Sequence, residues 1–505
     1  MTLTAVYNKS LIHGHPSKLH AIIIQPGDPK APIKARSNFS SGLTSLSPST
    51  DLMALDAHIR ERSRHGSKFI DTRILDNGYA DLVDEIQQMP APQVVVVGAS
   101  TQGLGQTTAI VELVKKHYPE IPVGICGQYP SDFPVEAAAF PNIDFALSGD
   151  PEPILKHYLD YFDTPQRLAK IAGLQLPGQD VKPSAFSRNL AAEVALPDLA
   201  HAYWGAYRRD ISNPFCLAEL RLSRGNTGLP PDHAFPAHEE AVRFFDLKAL
   251  ATLMDRCTGS SITHVRLIDP PGIWTLNRLV DWCNALKTTR NTQAWGLQFL
   301  PTLLQGAEIK LMMDAWCRRI DFVFPSCDPD LLRQSGCIVD PTSFKHLLRA
   351  LKDSGISVTL HFWIGGPEEA PGEVQRVANM IKKIGYVAYQ LHPYPYHFNS
   401  QVYAEHGNDQ AGPNVQDFID WARDPWNLDR PVPIWNGESG ASKTESMAKA
   451  IQRKVNHNPM RVMAKILDRV VNTKWIDKIE RKAIGIDALL AQEQEEFTMG
   501  RNRPE

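Results

Sequence analysis

The chain has 505 residues, 43% of them hydrophobic and 22% charged, and a formal net charge of −3. That length calls for two or three domains, and the composition builds sizeable apolar cores, which excludes a disordered chain. The near-neutral balance argues against nucleic acid or an anionic membrane as partner, and no apolar run reaches the roughly 18 residues of a membrane span.

The opening MTLTAVYNKSLIHGHPSKLH has no apolar signal core, so a cytoplasmic location is expected. The first strand is read in LHAIIIQPGDP, where the apolar run Ala21 to Ile24 stops at Gln25-Pro26-Gly27. A Ser/Pro-rich stretch follows, then a helix in DLMALDAHIRERSRHG with Leu52, Leu55, His58 and Ile59 on one face and Gly66 as its C-cap. Strand SKFIDTRILD and helix GYADLVDEIQQM lead to APQVVVVGASTQG, whose four valines suit a strand covered on both faces. Helix GQTTAIVELVKKHYP, strand PVGICGQ, helix PVEAAAF, strand IDFALSG and helix EPILKHYLDYF complete the series. Such alternation predicts an α/β domain with a doubly wound parallel sheet over residues 1–163 and a ligand crevice at the strands' C-terminal ends.

Residues 164–214 carry no long periodic element and are read as a connector. From 215 to 405 a second series runs through strands LAELRLS, THVRLID, QAWGLQFL, IDFVFPS, SVTLHFWIG and VAYQLHPYP, each but the last followed by a helical pattern. Six strands predict a partial (β/α)6 barrel of the TIM type. Residues 406–505 are read as a mainly helical region, with helices near 443–456, 459–472 and 474–493. The seven cysteines include no C-x-x-C pair and are expected to be buried thiols, with no metal ligand among them.

In this order the signals resemble the cobalamin-binding radical S-adenosylmethionine family over roughly residues 20–405. They include LDAHIRERSRHG, RILD, the Gly-Ala-Ser-Thr turn, CGQYPSD, DFALSGDPEPIL, RLSRGN, HVRLIDPPGIW and ISVTLHFWIGGPEE. The resemblance implies a Rossmann-like cobalamin-binding domain followed by a radical-SAM-type barrel. It also implies cobalamin contacts at Gly98, Ala99, Ser100 and Thr101, at Gly127, Gln128 and Tyr129, and at Ser148, Gly149 and Asp150. Tyr129 is bulkier than the usual residue there. The absence of an Asp-x-His-x-x-Gly motif offers no lower-axial histidine, which is usual for the family.

One part of the frame departs from the family. Three thiolates in a C-x-x-x-C-x-x-C loop hold its iron–sulfur cluster and leave one iron open for S-adenosylmethionine. Those positions fall here on Asn226, Pro230 and His233 of LSRGNTGLPPDHAFP. Pro325 stands where the family places a glutamate, and the stretch around Leu297 to Leu300 has no arginine. The sequence therefore implies a degenerate member with no cluster and no S-adenosylmethionine held in the family's way.

Asp269, in the turn after the second barrel strand, and His361 are the catalytic candidates. His361 shares a strand face with Trp363, and His392 has the same standing; each is alternatively a satisfied core histidine. Three functions follow. The first is a cobalamin-dependent methyl or group transferase acting on a small molecule. The second is a non-catalytic partner, scaffold or cobalamin carrier, docking through WARDPWNLDRPVPIWNGE. The third is a barrel repurposed for cofactor-free lyase or isomerase chemistry through His361 or Asp269.

Overall fold

A computed structural model describes residues 18–27, 47–90, 93–100, 103–199, 204–207, 217–225, 242–302, 304–337, 340–366, 372–385, 388–393 and 438–456. The first sheet is built from β1 (His20–Gln25), β2 (Gly66–Asp71), β3 (Gln93–Gly98), β4 (Val123–Cys126) and β5 (Phe145–Leu147). These five are parallel in the order β2-β1-β3-β4-β5, the doubly wound arrangement read from the sequence.

Ile22 to Ile24 and Val94 to Val97 are buried without alternation because both faces are covered. One face packs on α1 (Thr50–Arg62) and on the later helix Pro151–Asp160, through Leu55, Ile59, Leu155 and Tyr158. The other packs on α2 (Tyr79–Gln88) and α3 (Leu104–His117), through Ile86, Ile110 and Val114. Ser49 caps α1 by accepting from Leu52 N. Gly66 is not the C-cap: α1 ends at Arg62 with an extended Ser63, and Gly66 opens β2. The short α4 (Gln128–Asp132) and α5 (Pro134–Ala138) follow β4, and α6 (Pro151–Asp160) follows β5.

The connector does more than link. Its β6 (Leu174–Gln175) pairs antiparallel with β5 and closes that edge of the first sheet. Ala185 then forms an isolated bridge with Gly149.

The second sheet holds the six expected strands in chain order: β7 (Leu217–Leu220), β10 (His264–Leu267), β11 (Ala294–Phe299), β12 (Cys317–Phe324), β13 (Ser357–Ile364) and β14 (Ala388–Pro393). All pairs are parallel. A two-residue pair, β8 (Ser223–Arg224) with β9 (Arg243–Phe244), was not legible in the sequence and ties together the chain on either side of 226–241. Strand β12 begins at Cys317, earlier than the apolar run suggested, just after Trp316 turns the chain at φ 68°.

Helices α7 (Leu247–Cys257), α8 (Leu276–Lys287), α9 (Gly306–Asp314), α10 (Pro341–Asp353) and α11 (Glu373–Ile384) line one face of this sheet. Their apolar stripes meet Val265, Trp295, Leu297, Phe322, Phe324 and Phe362 in one continuous core. From the C-terminal region α12 (Glu438–Asn456) packs on α11, and its Ile451 and Val455 join that core. The expected helices near 459–472 and 474–493, and residues 421–437 of the proposed docking segment, lie outside the described residues. Among the described residues no helix is long and apolar enough to cross a membrane.

Candidate functional site

The second sheet has two unlike faces. In a parallel sheet, register partners project to the same side. Glu219 on β7 is opposite Arg266 on β10, which is opposite Gly296 on β11, which is opposite Arg319 on β12. Two residues further along β12, Asp321 is opposite Thr359 on β13, and His361 is opposite Gln390 on β14. At the strands' C-terminal ends Trp363 is opposite His392. The face turned from the helices therefore gathers Glu219, Arg266, Arg319, Asp321, His361 and His392. Gly296 is required there, because a Cβ on it would lie 2.8 Å from Arg319 Cβ.

These groups touch. Arg319 Nε donates to Asp321 Oδ1 at 2.9 Å, and its Nη2 donates to Thr359 Oγ1 at 3.2 Å. Arg266 Nη2 lies 3.6 Å from Asp321 Oδ2. His361 Nε2 lies 3.5 Å from Asp321 Oδ1, long for a hydrogen bond but close enough for strong electrostatic coupling. Its other nitrogen, Nδ1, is 2.9 Å from His392 Nε2, and the two rings are stacked at 14°.

Asp321 is 1% exposed. Burial pushes its carboxyl up, but Arg319, His361 and Arg266 outweigh it and hold the pKa at about 2. Burial, with the charges of His361 and Arg266, lowers His392 to about 4 against the pull of Asp321. Burial raises Glu219 despite Arg266, Arg221 and Arg73, and the same desolvation lowers Arg266.

The structure brings the candidate His361 together with His392 and with Asp321, and keeps Asp269 apart. Asp269 is fully buried and accepts from Leu222 N with both oxygens at 3.0 Å and from Ser223 Oγ. Burial raises its pKa against those hydrogen bonds. This carboxylate fixes the chain where β7 gives way to the Ser-Arg-Gly segment, which is a positioning role.

Sequence reasoning missed Asp321, Arg266, Arg319 and Glu219. The signal was present as a charged residue between apolar neighbours in LAEL, HVRL and IDFV, each a half-buried strand whose second face is polar.

At the first sheet the three expected turns differ. Gly98 and Ala99 are buried at the end of β3 while Ser100 is exposed; Thr101 lies outside the described residues. Ala99 N donates to Cys126 O at 2.7 Å and Tyr129 N to Ala99 O at 3.0 Å, which sets the second turn beside the first. Gly127 adopts φ 115°, and Gln128 after it is exposed. The Tyr129 ring turns inward and packs on Phe133 and Phe140, so it covers nothing at the strand ends.

The third turn is enclosed. Ser148 Oγ donates to Pro130 O at 2.6 Å, Gly149 N to Ser131 Oγ at 2.9 Å, and Asp150 N to Ala185 O at 2.8 Å. Asp150 also accepts from Ser187 N at 2.7 Å, pairs with Arg224 at 3.0 Å, and pairs with Arg243. Burial pushes its carboxyl up, but Arg224 and Arg243 hold it below the usual range. Arg224 reaches on to Glu152 at 2.6 Å. The segments RLSRG and SGDPEP thus meet as a buried ion network joining the two sheets.

Asn226, Pro230 and His233 lie outside the described residues. All six described cysteines are buried, and burial pushes the Cys257, Cys283 and Cys337 thiols up to about 12. Among the described residues no group of His, Cys, Asp and Glu is arranged to hold a metal ion.

No family model matches the chain, and no curated protein sequence is similar to it. Solved structures are similar. The radical S-adenosylmethionine methyltransferase TsrM from Kitasatospora setae, with cobalamin and a 4Fe–4S cluster bound, superposes with a TM-score of 0.59 at 14% identity. That match covers 87% of this chain and 89% of TsrM. The cobalamin-dependent S-adenosylmethionine radical enzyme OxsB, with aqua-cobalamin and S-adenosylmethionine bound, gives 0.54 at 14% identity, covering 86% of this chain and 61% of OxsB. At such identity the likeness is one of fold, and the fold of this chain is that of the cobalamin-dependent radical S-adenosylmethionine enzymes.

Proposed function

We propose that the chain is a cobalamin-dependent transferase that moves a methyl or other small group to a small molecule held over the polar face of the second sheet, without an iron–sulfur cluster. One observation carries the catalytic part. Buried Glu219, Arg266, Asp321 and His361 and half-buried His392 come from five different strands and converge on one face. Folding alone does not ask for this, since burying so many ionisable groups costs more than an apolar filling would.

The residues present fit a corrin at two turns. Ser100 and Gln128 are exposed in the turns that follow the neighbouring strands β3 and β4 and would offer hydrogen bonds to its amide side chains. When bound, cobalamin would supply a transferable group on cobalt. This chain's own part is to hold the acceptor at the sheet's C-terminal end and to manage its proton.

The donor set does not fit a three-thiolate cluster. Asn226, Pro230 and His233 offer no thiolate, and the described cysteines are buried. To test the corrin site, hydroxocobalamin retention is compared in the wild type and in Gln128→Trp. The account expects at least about a tenfold loss of affinity in the variant, as bulk enters the crevice; unchanged retention contradicts it.

A second reading is favoured by the enclosed third turn. With Ser148, Gly149 and Asp150 committed to residues 184–187 and to Arg224 and Arg243, less of the crevice is left for a cofactor. That supports a cofactor-free lyase or isomerase built on His361. Protein that emerges corrin-free after incubation with hydroxocobalamin favours this reading over the first.

A further inference from the structure

The paired histidines of the second sheet, His361 and His392, sit in a geometry that favours one proton arrangement. Asp321 is ionised and lies 3.5 Å from His361 Nε2, so that nitrogen carries the proton; a bare lone pair there would face a carboxylate. His361 Nδ1 is then an acceptor, and at 2.9 Å the hydrogen between the rings belongs to His392 Nε2. This leaves His392 Nδ1 as a lone pair. The His392 ring is half-buried at the C-terminal end of β14, level with Trp363.

We infer that Asp321, His361 and His392 form a proton relay ending at His392 Nδ1, and that the molecule worked on at this face is neutral and protic, giving up an N–H, O–H or S–H proton to that nitrogen. The inference rests on reading the polar face of the second sheet as the working site and names the class of its acceptor.

In the step, the acceptor's X–H bond breaks and its electron pair stays on X. Its proton joins His392 Nδ1, while the Nε2 proton of His392 passes to His361 Nδ1. The positive charge comes to rest on the His361 imidazolium beside ionised Asp321, and X, now anionic, is the nucleophile for group transfer. His392 touches the substrate; His361 and Asp321 are positioning residues. The charged and titratable groups facing the pair are Asp321 and Arg319 from β12 and Arg266 from β10.

The test is ring nitrogen-15 NMR on the full chain labelled at histidine, with His361 and His392 assigned from H361Q and H392Q. Beside it, carbethoxylation by diethyl pyrocarbonate is mapped by mass spectrometry. The relay predicts His361 protonated at Nε2, His392 bare at Nδ1, and His392 modified at least about tenfold more slowly in Asp321→Asn, where the tautomer is no longer fixed. His361 protonated at Nδ1 in the wild type overturns it, and so does an equal rate in Asp321→Asn. Should that variant not fold, the wild-type spectrum decides alone. Failure to retain hydroxocobalamin with the predicted tautomers in place would remove the corrin reading and leave the relay standing.

Discussion

At Gly149 a single hydrogen side chain lets two segments meet. The residue adopts φ 107°, and a Cβ there would lie 1.9 Å from Ala185 O. Gly149→Ala therefore has to push residues 184–187 off the third turn as well as strain its backbone. The expected loss is about 1–3 kcal/mol, read by urea denaturation. Asp269 is a second such point, since it holds both Leu222 N and Ser223 Oγ from within the core. Asp269→Ala leaves two buried donors without their acceptor and should cost at least about 1–3 kcal/mol by the same measurement. Sequence alone put Asp269 and His361 on equal footing as catalytic candidates. Nothing local separates them: each follows or sits in a barrel strand, and only the third dimension shows one carboxylate saturated by the chain and one imidazole joined to another.

At the scale of elements, the strands were readable because their burial patterns differ. Ile22 to Ile24 and Val94 to Val97 are continuous apolar runs from a sheet covered on both faces, whereas β13 alternates Leu360, Phe362 and Ile364 with Thr359, His361 and Trp363. The pair β8–β9 was not readable, since two residues on either side of a sixteen-residue stretch, 226–241, carry no period.

Among the histidines that burial lowers, His58 and His392 are lowered furthest. Burial, and then the charges of Arg62, Lys156, Arg224 and His157, lower His58 on α1 to about 4, and His392 on β14 is lowered to about the same value. In the unfolded chain both titrate near the ordinary value of about 6.5. Below that pH the unfolded state binds more protons, so stability is full above about 6.5 and falls until about 4. Each histidine contributes a slope on the order of 1 kcal/mol per pH unit. Urea midpoints across this window should fall with acidity, and the fall should shrink in His58→Leu; a flat profile contradicts the account. Asp321, held at about 2, adds a second loss as pH drops from its ordinary carboxylate range toward that value.

Among the described residues the two sheets are joined by charge as well as by apolar contact, with Met53, Phe69 and Ile74 packed against the second sheet's core. Arg224, on β8, bridges Asp150 and Glu152 from the first domain, while Arg221 pairs with Asp51 at 3.2 Å and Tyr207 reaches Asp71 at 3.1 Å. Arg224→Ala strips a fully buried Glu152 of its partner and should cost about 3–5 kcal/mol, or separate the unfolding of the two domains into two transitions. The two parallel sheets and the order of their strands could be read from the alternation of elements. That the Ser-Arg-Gly segment would spend its arginine on the first domain could not, because Asp150 and Arg224 are 74 residues apart.

The account holds that the frame of a cobalamin-dependent radical enzyme is kept here for a barrel whose chemistry is carried by its polar face. The most direct measurement is absorption spectroscopy of the protein after anaerobic incubation with iron, sulfide and hydroxocobalamin, with iron and cobalt quantified on the same sample. The account predicts retained corrin with matching cobalt and no iron–sulfur band. Protein carrying a cluster, or emerging without corrin, contradicts it.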